Sequence, residues 1–361
     1  MITTGGTIAG NVASDRQDGM VDQADFINIF ARAINYLNCH RNMSIEINAR
    51  TLCNIDSSDI MPEHWADIAR VIKEEYDNYD AFIITHGTNT LGYTSAALSF
   101  ALANPKKPII ITGSQVSAAL PGSDGQINLE NALRIATWMN EDGLPLRGVV
   151  AVFGSHIISG TRVKKDTEFD YDAFTSFGTG SIGRIGRIIN INEMNLRRHL
   201  KYLKSGTYTE AARASDLICD SDFDMRIGSL SEFPGMSSDI LKTLIEHNDV
   251  KGIILRAFGA GDPSTRHRAA FEYLKDREVP IVVTTQAPNG NSNFQVNNPG
   301  RMLRNNNLAI PAYDMCIESQ TVKLAWLLAK RRRGELNYSQ ICREMVHDIR
   351  GEINVMLEIM T

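Results

Sequence analysis

Short apolar runs alternate with helix-like segments along the middle of this chain, and this alternation limits the fold more than any other feature. The runs at 81–85, 108–112 and 148–153 have the length and composition of buried strands, and helix-like segments cover 94–103 and 127–139. A strand, a helix and a further strand in this order form a crossover unit, in which the two strands are parallel. The sequence therefore predicts an α/β protein with a parallel sheet that helices cover on both faces.

The regular alternation fades after residue 154, and a second series of strand-like and helix-like segments follows residue 225. We predict a large N-terminal α/β domain over residues 1–190, which carries the threonine-containing loops. A linker over 191–224 and a smaller C-terminal α/β domain over 225–361 are predicted to follow it. One further strand of the N-terminal domain is predicted at 44–48.

The charge balance argues against nucleic acid or a membrane surface as the main partner. Lysine and arginine number 37 against 42 aspartates and glutamates, which gives a net charge of −5. The strongly basic run from Lys330 to Arg333 ends an apolar helix-like segment and precedes Gly334. Cations in a last turn and a glycine after it are typical of a helix C-terminus, so we interpret this run as a cap.

The cysteines and glycines predict neither a metal nor a cofactor. The five cysteines show no C-x-x-C or Cys/His spacing, which favours reduced thiols in a cytoplasmic protein. Residues 178–183 match G-x-G-x-x-G, but the residues after them are β-like, whereas a dinucleotide site needs a helix there. No charged and apolar leader and no run long enough to cross a membrane are present in the sequence.

Two hydroxyl-rich loops are the first candidates for chemistry. Thr7 follows the strand-like start of the chain, and Thr88 follows the run at 81–85. Ligands of open parallel sheets bind beyond the carboxyl ends of the strands. A threonine hydroxyl is a poor nucleophile until a base removes its proton, and a lysine of the segment 160–165 is the candidate base for an acyl transfer. Threonines that cap helices after strands explain the same spacing without any chemistry.

The segments around these residues resemble those of one enzyme family. The matching segments are TGGTIAG at 4–10, DSSD at 56–59, HGTNT at 86–90, TGSQ at 112–115, Gly160 with Lys165, and RAFGAGD at 256–262. They occur in the order found in bacterial-type L-asparaginases, along essentially the whole chain. The chain is therefore similar to this family, and most to its cytoplasmic type I branch.

The resemblance implies a role for each matching residue. Thr7 would attack the side-chain amide of L-asparagine and form an acyl-enzyme, and Thr88 with Lys165 would activate Thr7 or the water of the second step. Ser57, with Ser58 beside it, would bind the α-carboxylate of the substrate. The resemblance further implies hydrolysis to L-aspartate and ammonia without metal or cofactor, and assembly as a homodimer or a dimer of dimers.

Three positions depart from the family pattern. Asn89 stands where the motif has an aspartate that pairs with the α-ammonium of the substrate, and Met20 replaces a tyrosine beside the nucleophile. Asp262 stands where the family usually has an asparagine that reaches a neighbouring subunit's site. We predict an exchange, in which Asp262 of a second subunit supplies the charge that Asn89 lacks.

Three other functions stay open from the sequence. One is an amidase whose substrate lacks an α-ammonium, which would tolerate Asn89. Another is the amidase subunit of a tRNA-dependent amidotransferase, which resembles asparaginase but carries an additional N-terminal domain. The third is a catalytically silent homologue that binds an amino acid or a partner protein, since Met20 and Asn89 both weaken the expected chemistry.

Overall fold

A computed structural model describes residues 1–6, 31, 34–39, 43–117, 120–203 and 217–354 of the chain. By its contacts the chain divides into two compact units, Met1–Ser176 with Gly180–Ser221 and Phe177–Thr179 with Asp222–Thr361. The predicted boundaries at residues 190 and 225, with the linker between them, stay a prediction.

The first unit is built on an eight-stranded sheet. Its strands are β1 (Ile2–Thr3), β2 (Arg50–Thr51), β3 (Phe82–Thr85), β5 (Pro108–Thr112), β6 (Gly148–Phe153), β7 (His156–Ser159), β10 (Gly183–Ile185) and β11 (Ile189–Ile191), and their order in the sheet is β11-β10-β7-β6-β5-β3-β1-β2. The strands from β2 to β6 in this order are parallel, and β7, β10 and β11 add antiparallel strands at one edge. The central strands β3, β5 and β6 are buried along their whole length, as their continuous apolar runs predict.

In the described part of the first unit, residues 34–39 are helical, and four further helices lie between the strands or follow them. They are α1 (Pro62–Glu74), α2 (Leu91–Ala101), α3 (Gly125–Ala136) and α4 (Glu193–Leu200). Proline in the first turn starts α1, and Trp65, Ile68 and Ile72 bury one face of it at the spacing of three to four residues. Two small ladders complete the unit: β4 (Leu102–Ala103) pairs with β12 (Ile218–Cys219), and β8 (Val163–Lys165) pairs with β9 (Phe174–Ser176).

The strand predicted at 44–48 is wrong. These residues alternate between half-buried and exposed, with Ile45 and Ile47 packed on the core of the first unit, but they belong to no strand. The pairing with β1 begins only at Arg50. The alternating apolar residues of the segment thus contact the core, but this pattern does not say where the hydrogen-bonded ladder starts.

The second unit contains a four-stranded parallel sheet. Its strands are β13 (Ile227–Ser231), β14 (Gly252–Ala257), β15 (Ile281–Thr285) and β16 (Ile310–Pro311), which pair in this order. Its helices are α5 (Asp239–Asn248), α6 (Arg268–Asp276), α7 (Asn298–Asn305), α8 (Ile317–Arg332) and α9 (Tyr338–Val346). The prediction of a large α/β domain with a parallel-strand sheet and a smaller one is confirmed.

The basic run ends α8, as the sequence predicts. Gly334 has a φ of +77° directly after the helix and donates its N–H to the carbonyl of Arg331. Arg332 and Arg333 both pair with Asp222, so this run is engaged within its own unit. None of the helices in the described part of the chain is long and apolar enough to cross a membrane.

Candidate active site

The loop after β3 lies against the loop after β1, and two glycines allow this contact. Gly6 has a φ of +79°, and a Cβ atom on it would lie 2.6 Å from the Cα atom of Gly87. A Cβ atom on Gly87 would lie 2.6 Å from the Oγ atom of Ser57. Only glycine fits at these two positions. The loops that follow β1, β2 and β3 therefore meet beyond the carboxyl ends of these strands.

The structure brings Thr88 and Lys165 together. Thr88 begins the 3-10 turn Thr88–Thr90 between β3 and α2, and Lys165 ends β8. The Nζ atom of Lys165 donates to the Oγ1 atom of Thr88 over 3.0 Å. Thr88 is buried, and the Lys165 side chain is only 15% exposed. A shielded amine on a hydroxyl is the arrangement that proton transfer to or from the hydroxyl requires.

The same lysine orients the amide of Asn89. Lys165 donates to the Oδ1 atom of Asn89 over 3.3 Å, and the Nδ2 atom of Asn89 donates to the Oγ atom of Ser58 over 3.1 Å. The oxygen of the Asn89 amide therefore faces a cation, and its NH2 group faces the serine loop. An aspartate at this position would offer acceptors on both sides, whereas Asn89 offers one acceptor and one donor group.

Ser57 and Ser58 are held in a short 3-10 turn, Ser57–Asp59, that Asp56 caps. The carboxylate of Asp56 accepts the Ser58 N–H over 2.8 Å, and this hydrogen bond holds the pKa of Asp56 below its ordinary value. The hydroxyl of Thr90 donates to the carbonyl of Ser57 over 2.6 Å and ties this turn to the Thr88 turn. Ser57 is buried, whereas Ser58 is exposed.

His86 braces the loop. Its Nδ1 atom lies 2.7 Å from the carbonyl of Gly87, which can only accept, so Nδ1 carries the proton. Its Nε2 atom therefore accepts from Thr94 over 2.9 Å, and the Thr94 oxygen accepts from the Trp65 indole over 3.0 Å. Burial lowers the pKa of His86 to about 4, so it is neutral at pH 7.

This neutral histidine predicts a loss of stability in acid. Between about pH 6.5 and pH 4 the unfolded chain binds a proton at residue 86 that the folded chain does not, so stability falls as the pH falls. We expect the free energy of unfolding of the wild-type protein, relative to that of His86→Gln, to fall by about 2 kcal/mol between pH 7.5 and pH 5. Urea unfolding followed by tryptophan fluorescence measures the free energies of unfolding of the two proteins. A difference between them that does not change with pH would contradict this prediction.

Glu168 also contacts this lysine, although the sequence did not predict it as a site residue. Its Oε2 atom lies 2.6 Å from the Nζ atom of Lys165, three residues earlier in the chain, and its side chain is 67% exposed. An acidic residue in an irregular segment is typical of a solvated surface. The only feature of the sequence that points to Glu168 as a site residue is its position three residues after the candidate base, Lys165. Thr88, Asn89 and Glu168 thus share one lysine head group.

Three further residues were named from the sequence. Thr7 and Met20 lie outside the described residues. Asp262 belongs to the second unit, where its carboxylate accepts from the Asn297 side chain over 2.6 Å and from the Gly300 N–H over 3.2 Å. Within the described part of the chain, no group of His, Cys, Asp and Glu residues has a geometry that could hold a metal ion.

Comparison with known proteins decides the family. A model for the N-terminal asparaginase domain matches residues 1–197, and a model for the glutaminase/asparaginase C-terminal domain matches residues 226–336. The chain belongs to the asparaginase family. This membership confirms the resemblance to the family and places the chain among asparaginase-type amidohydrolases.

Several asparaginase-family proteins are similar along most of their length. The L-asparaginase of Thermococcus kodakarensis is 32% identical over 98% of both chains, and L-asparaginase 1 of Escherichia coli is 34% identical over 83% of this chain and 82% of its own. A glutamyl-tRNA(Gln) amidotransferase subunit of Methanococcus maripaludis is 30% identical over 99% of this chain and 81% of its own.

Solved asparaginase structures show the same fold. The thermostable L-asparaginase of Thermococcus kodakarensis superposes with a TM-score of 0.81 and covers 98% of both chains. L-asparaginase I of Vibrio cholerae superposes with a TM-score of 0.80 at 29% identity, again over 98% of both chains. The architecture of two α/β domains is therefore that of the asparaginase family.

Proposed function

We propose that this protein hydrolyses L-asparagine to L-aspartate and ammonia in the cytoplasm, through an acyl-enzyme on Thr7. The observation that carries the proposal is the 3.0 Å contact between Lys165 and Thr88 on a loop that packs against the Gly5-Gly6 turn preceding Thr7. The relatives named L-asparaginase support the choice of substrate. Assembly as a homodimer or a dimer of dimers is part of the same proposal.

The proposed reaction has two steps. The hydroxyl oxygen of Thr7 bonds to the amide carbon, the carbon–nitrogen bond breaks, and ammonia leaves with the proton of the hydroxyl. Water then attacks the acyl-threonine, which releases aspartate and returns the proton to Thr7. Met20 cannot relay a proton, so in this proposal the Thr88–Lys165 pair carries the proton in both steps. Ser57 and Ser58 bind the α-carboxylate at the turn that Asp56 caps.

Ammonia release from a panel of amides tests the proposal. L-Asparagine, L-glutamine and succinamate are compared with the wild-type protein and with Thr7→Ala. We expect L-asparagine to be the best substrate and Thr7→Ala to be inactive on all three amides. Activity that survives in Thr7→Ala would exclude this residue as the nucleophile. Binding of L-aspartate without ammonia release from any amide would instead identify a silent homologue.

Amidotransferase subunits are a second candidate, because proteins with that name are about as similar to this chain as the asparaginases. Both functions release ammonia from an amide with the same kind of site. Ammonia from a free amide donor that is transferred to glutamyl-tRNA(Gln) in the presence of a partner subunit, and not released into solution, would favour the second candidate.

The exchange between Asn89 and Asp262 predicts a specific coupling. Asn89→Asp and Asp262→Asn should each lower the kcat/KM of asparagine hydrolysis, whereas the double variant should keep it, because one carboxylate then remains beside the substrate ammonium. Steady-state kinetics of the four proteins measure the coupling. Effects that add would show that the two positions are independent.

A further inference from the structure

Glu168 completes the set of acceptors around the Lys165 ammonium. The head group donates to Thr88, to the Asn89 oxygen and to Glu168 over 3.0, 3.3 and 2.6 Å. A lysine ammonium has three N–H donors, so these three acceptors use all of them. Glu168 is the charged acceptor of the three, and its contact is the shortest.

The backbone of Glu168 is fixed although its side chain is exposed. Its carbonyl accepts from the Gln115 side chain over 3.0 Å. The backbone N–H groups of Gln115 and Val116 in turn donate to the carboxylate of Asp124, which is only 4% exposed. A buried carboxylate thus holds the Gln115 loop, and that loop holds Glu168 beside Lys165.

Two other carboxylates described above already accept hydrogen bonds. Asp56 caps its own turn, and both oxygens of Asp262 accept hydrogen bonds within the second unit. The second oxygen of Glu168, Oε1, has no hydrogen-bond partner among the described residues, and the side chain is open to solvent. It is therefore an anionic acceptor next to Asn89 that a ligand can reach.

We propose that Glu168 is the specificity-determining carboxylate of this site. One of its oxygens positions Lys165 on Thr88, and the other binds the α-ammonium of the substrate. Glu168 thereby takes over the contact of the family's aspartate, a position that Asn89 occupies in this chain. This inference rests on the proposed function for the identity of the ligand. In this proposal the negative charge that Asn89 lacks comes from the same subunit as Thr88, and from the same compact unit of it. In the exchange with Asp262, that charge comes from a neighbouring subunit.

Calorimetric titration with L-aspartate and with succinate tests this role without relying on turnover. The two ligands differ only in the α-ammonium. We expect the wild-type protein to prefer L-aspartate about tenfold, as a partly exposed charge-assisted contact allows. Glu168→Gln should abolish this preference and leave succinate binding within about twofold. The matched control is Asp170→Asn, an exposed residue of the same loop, which removes the same charge and should keep the preference.

A rescue and two contrary outcomes sharpen the test. Asn89→Asp added to Glu168→Gln should restore the preference for L-aspartate, because it returns a carboxylate to the contact. A preference that persists in Glu168→Gln, or a wild-type protein that binds neither ligand, would overturn the assignment. A preference that only Asp262→Asn abolishes would overturn it in favour of the exchange. Failure of amide hydrolysis alone would leave these binding results unchanged and would count against the proposed reaction.

Discussion

Lys165→Met is expected to lower the kcat/KM of amide hydrolysis by about 10³-fold, within the range that a general acid or base contributes. Methionine has nearly the length of the lysine side chain, but it offers no proton to the Thr88 oxygen 3.0 Å away and can take none from it. Thr88→Val should have an effect of similar size, since it removes the other half of the pair. The double variant should be little worse than either single variant, because two residues that act as one unit give non-additive losses.

Lys164→Met is the matched control for this result. Lys164 precedes Lys165 in β8, and neighbouring residues of a strand point to opposite faces, so this change removes the same charge one position away from the site. It should keep kcat/KM within about threefold of wild type, because its side chain leaves the strand on the face opposite to Lys165. Equal losses in Lys164→Met and Lys165→Met would mean that net charge, and not the Thr88 contact, determines activity.

The second large effect is expected in the second unit, where Lys323→Met should lower the free energy of unfolding by about 3–5 kcal/mol. Lys323 lies in the middle of α8 and is fully buried. Its Nζ atom lies 2.6 Å from the Glu352 carboxylate and donates to the carbonyls of Met345 and His347. Without the lysine, these three acceptors stay buried, and the carboxylate loses its cation and keeps only the N–H groups of Ile349 and Arg350 as partners.

A second substitution separates the cost of the unpaired charge from the loss of packing. Lys323→Met with Glu352→Leu removes both charges and should regain the part of the loss that comes from the unpaired charge, whereas the carbonyls of Met345 and His347 stay without this donor. Trp326 lies on the same helix and the other two tryptophans lie in the first unit, so its fluorescence follows unfolding of the second unit in denaturant. A loss below about 1 kcal/mol in Lys323→Met would show that water reaches the carboxylate.

Sequence reasoning predicted the buried elements well for a physical reason. The strands β3, β5 and β6 are buried on both faces, so their apolar runs are continuous and unmistakable. The helix α7 was missed, because Asn298, Pro299 and Gly300 begin it and these residues are more typical of loops. At its start the Gly300 N–H donates to Asp262, a contact from a distant segment that no local pattern contains.

The site was predictable only in part. Lys165 and Thr88 are 77 residues apart, and no periodicity relates them, so the family resemblance and not the spacing identified the pair. The family resemblance implies that His86 braces the loop, whereas the directions of the three hydrogen bonds that do so are seen only in the structure. Glu168 was missed because its importance comes from the fixed backbone around Gln115 and from what Asn89 lacks, and neither is visible in its own neighbourhood.

The central claim is acyl transfer through a threonine with Thr88 and Lys165 as the proton-carrying pair. Its most direct test is mass spectrometry of the protein quenched in acid during turnover of L-asparagine. The account predicts an adduct with the mass of asparagine less ammonia on the peptide that contains Thr7. The adduct should be absent in Thr7→Ala and should form more slowly in Lys165→Met. Ammonia release at the full rate with no adduct, or an adduct on another residue, would contradict it.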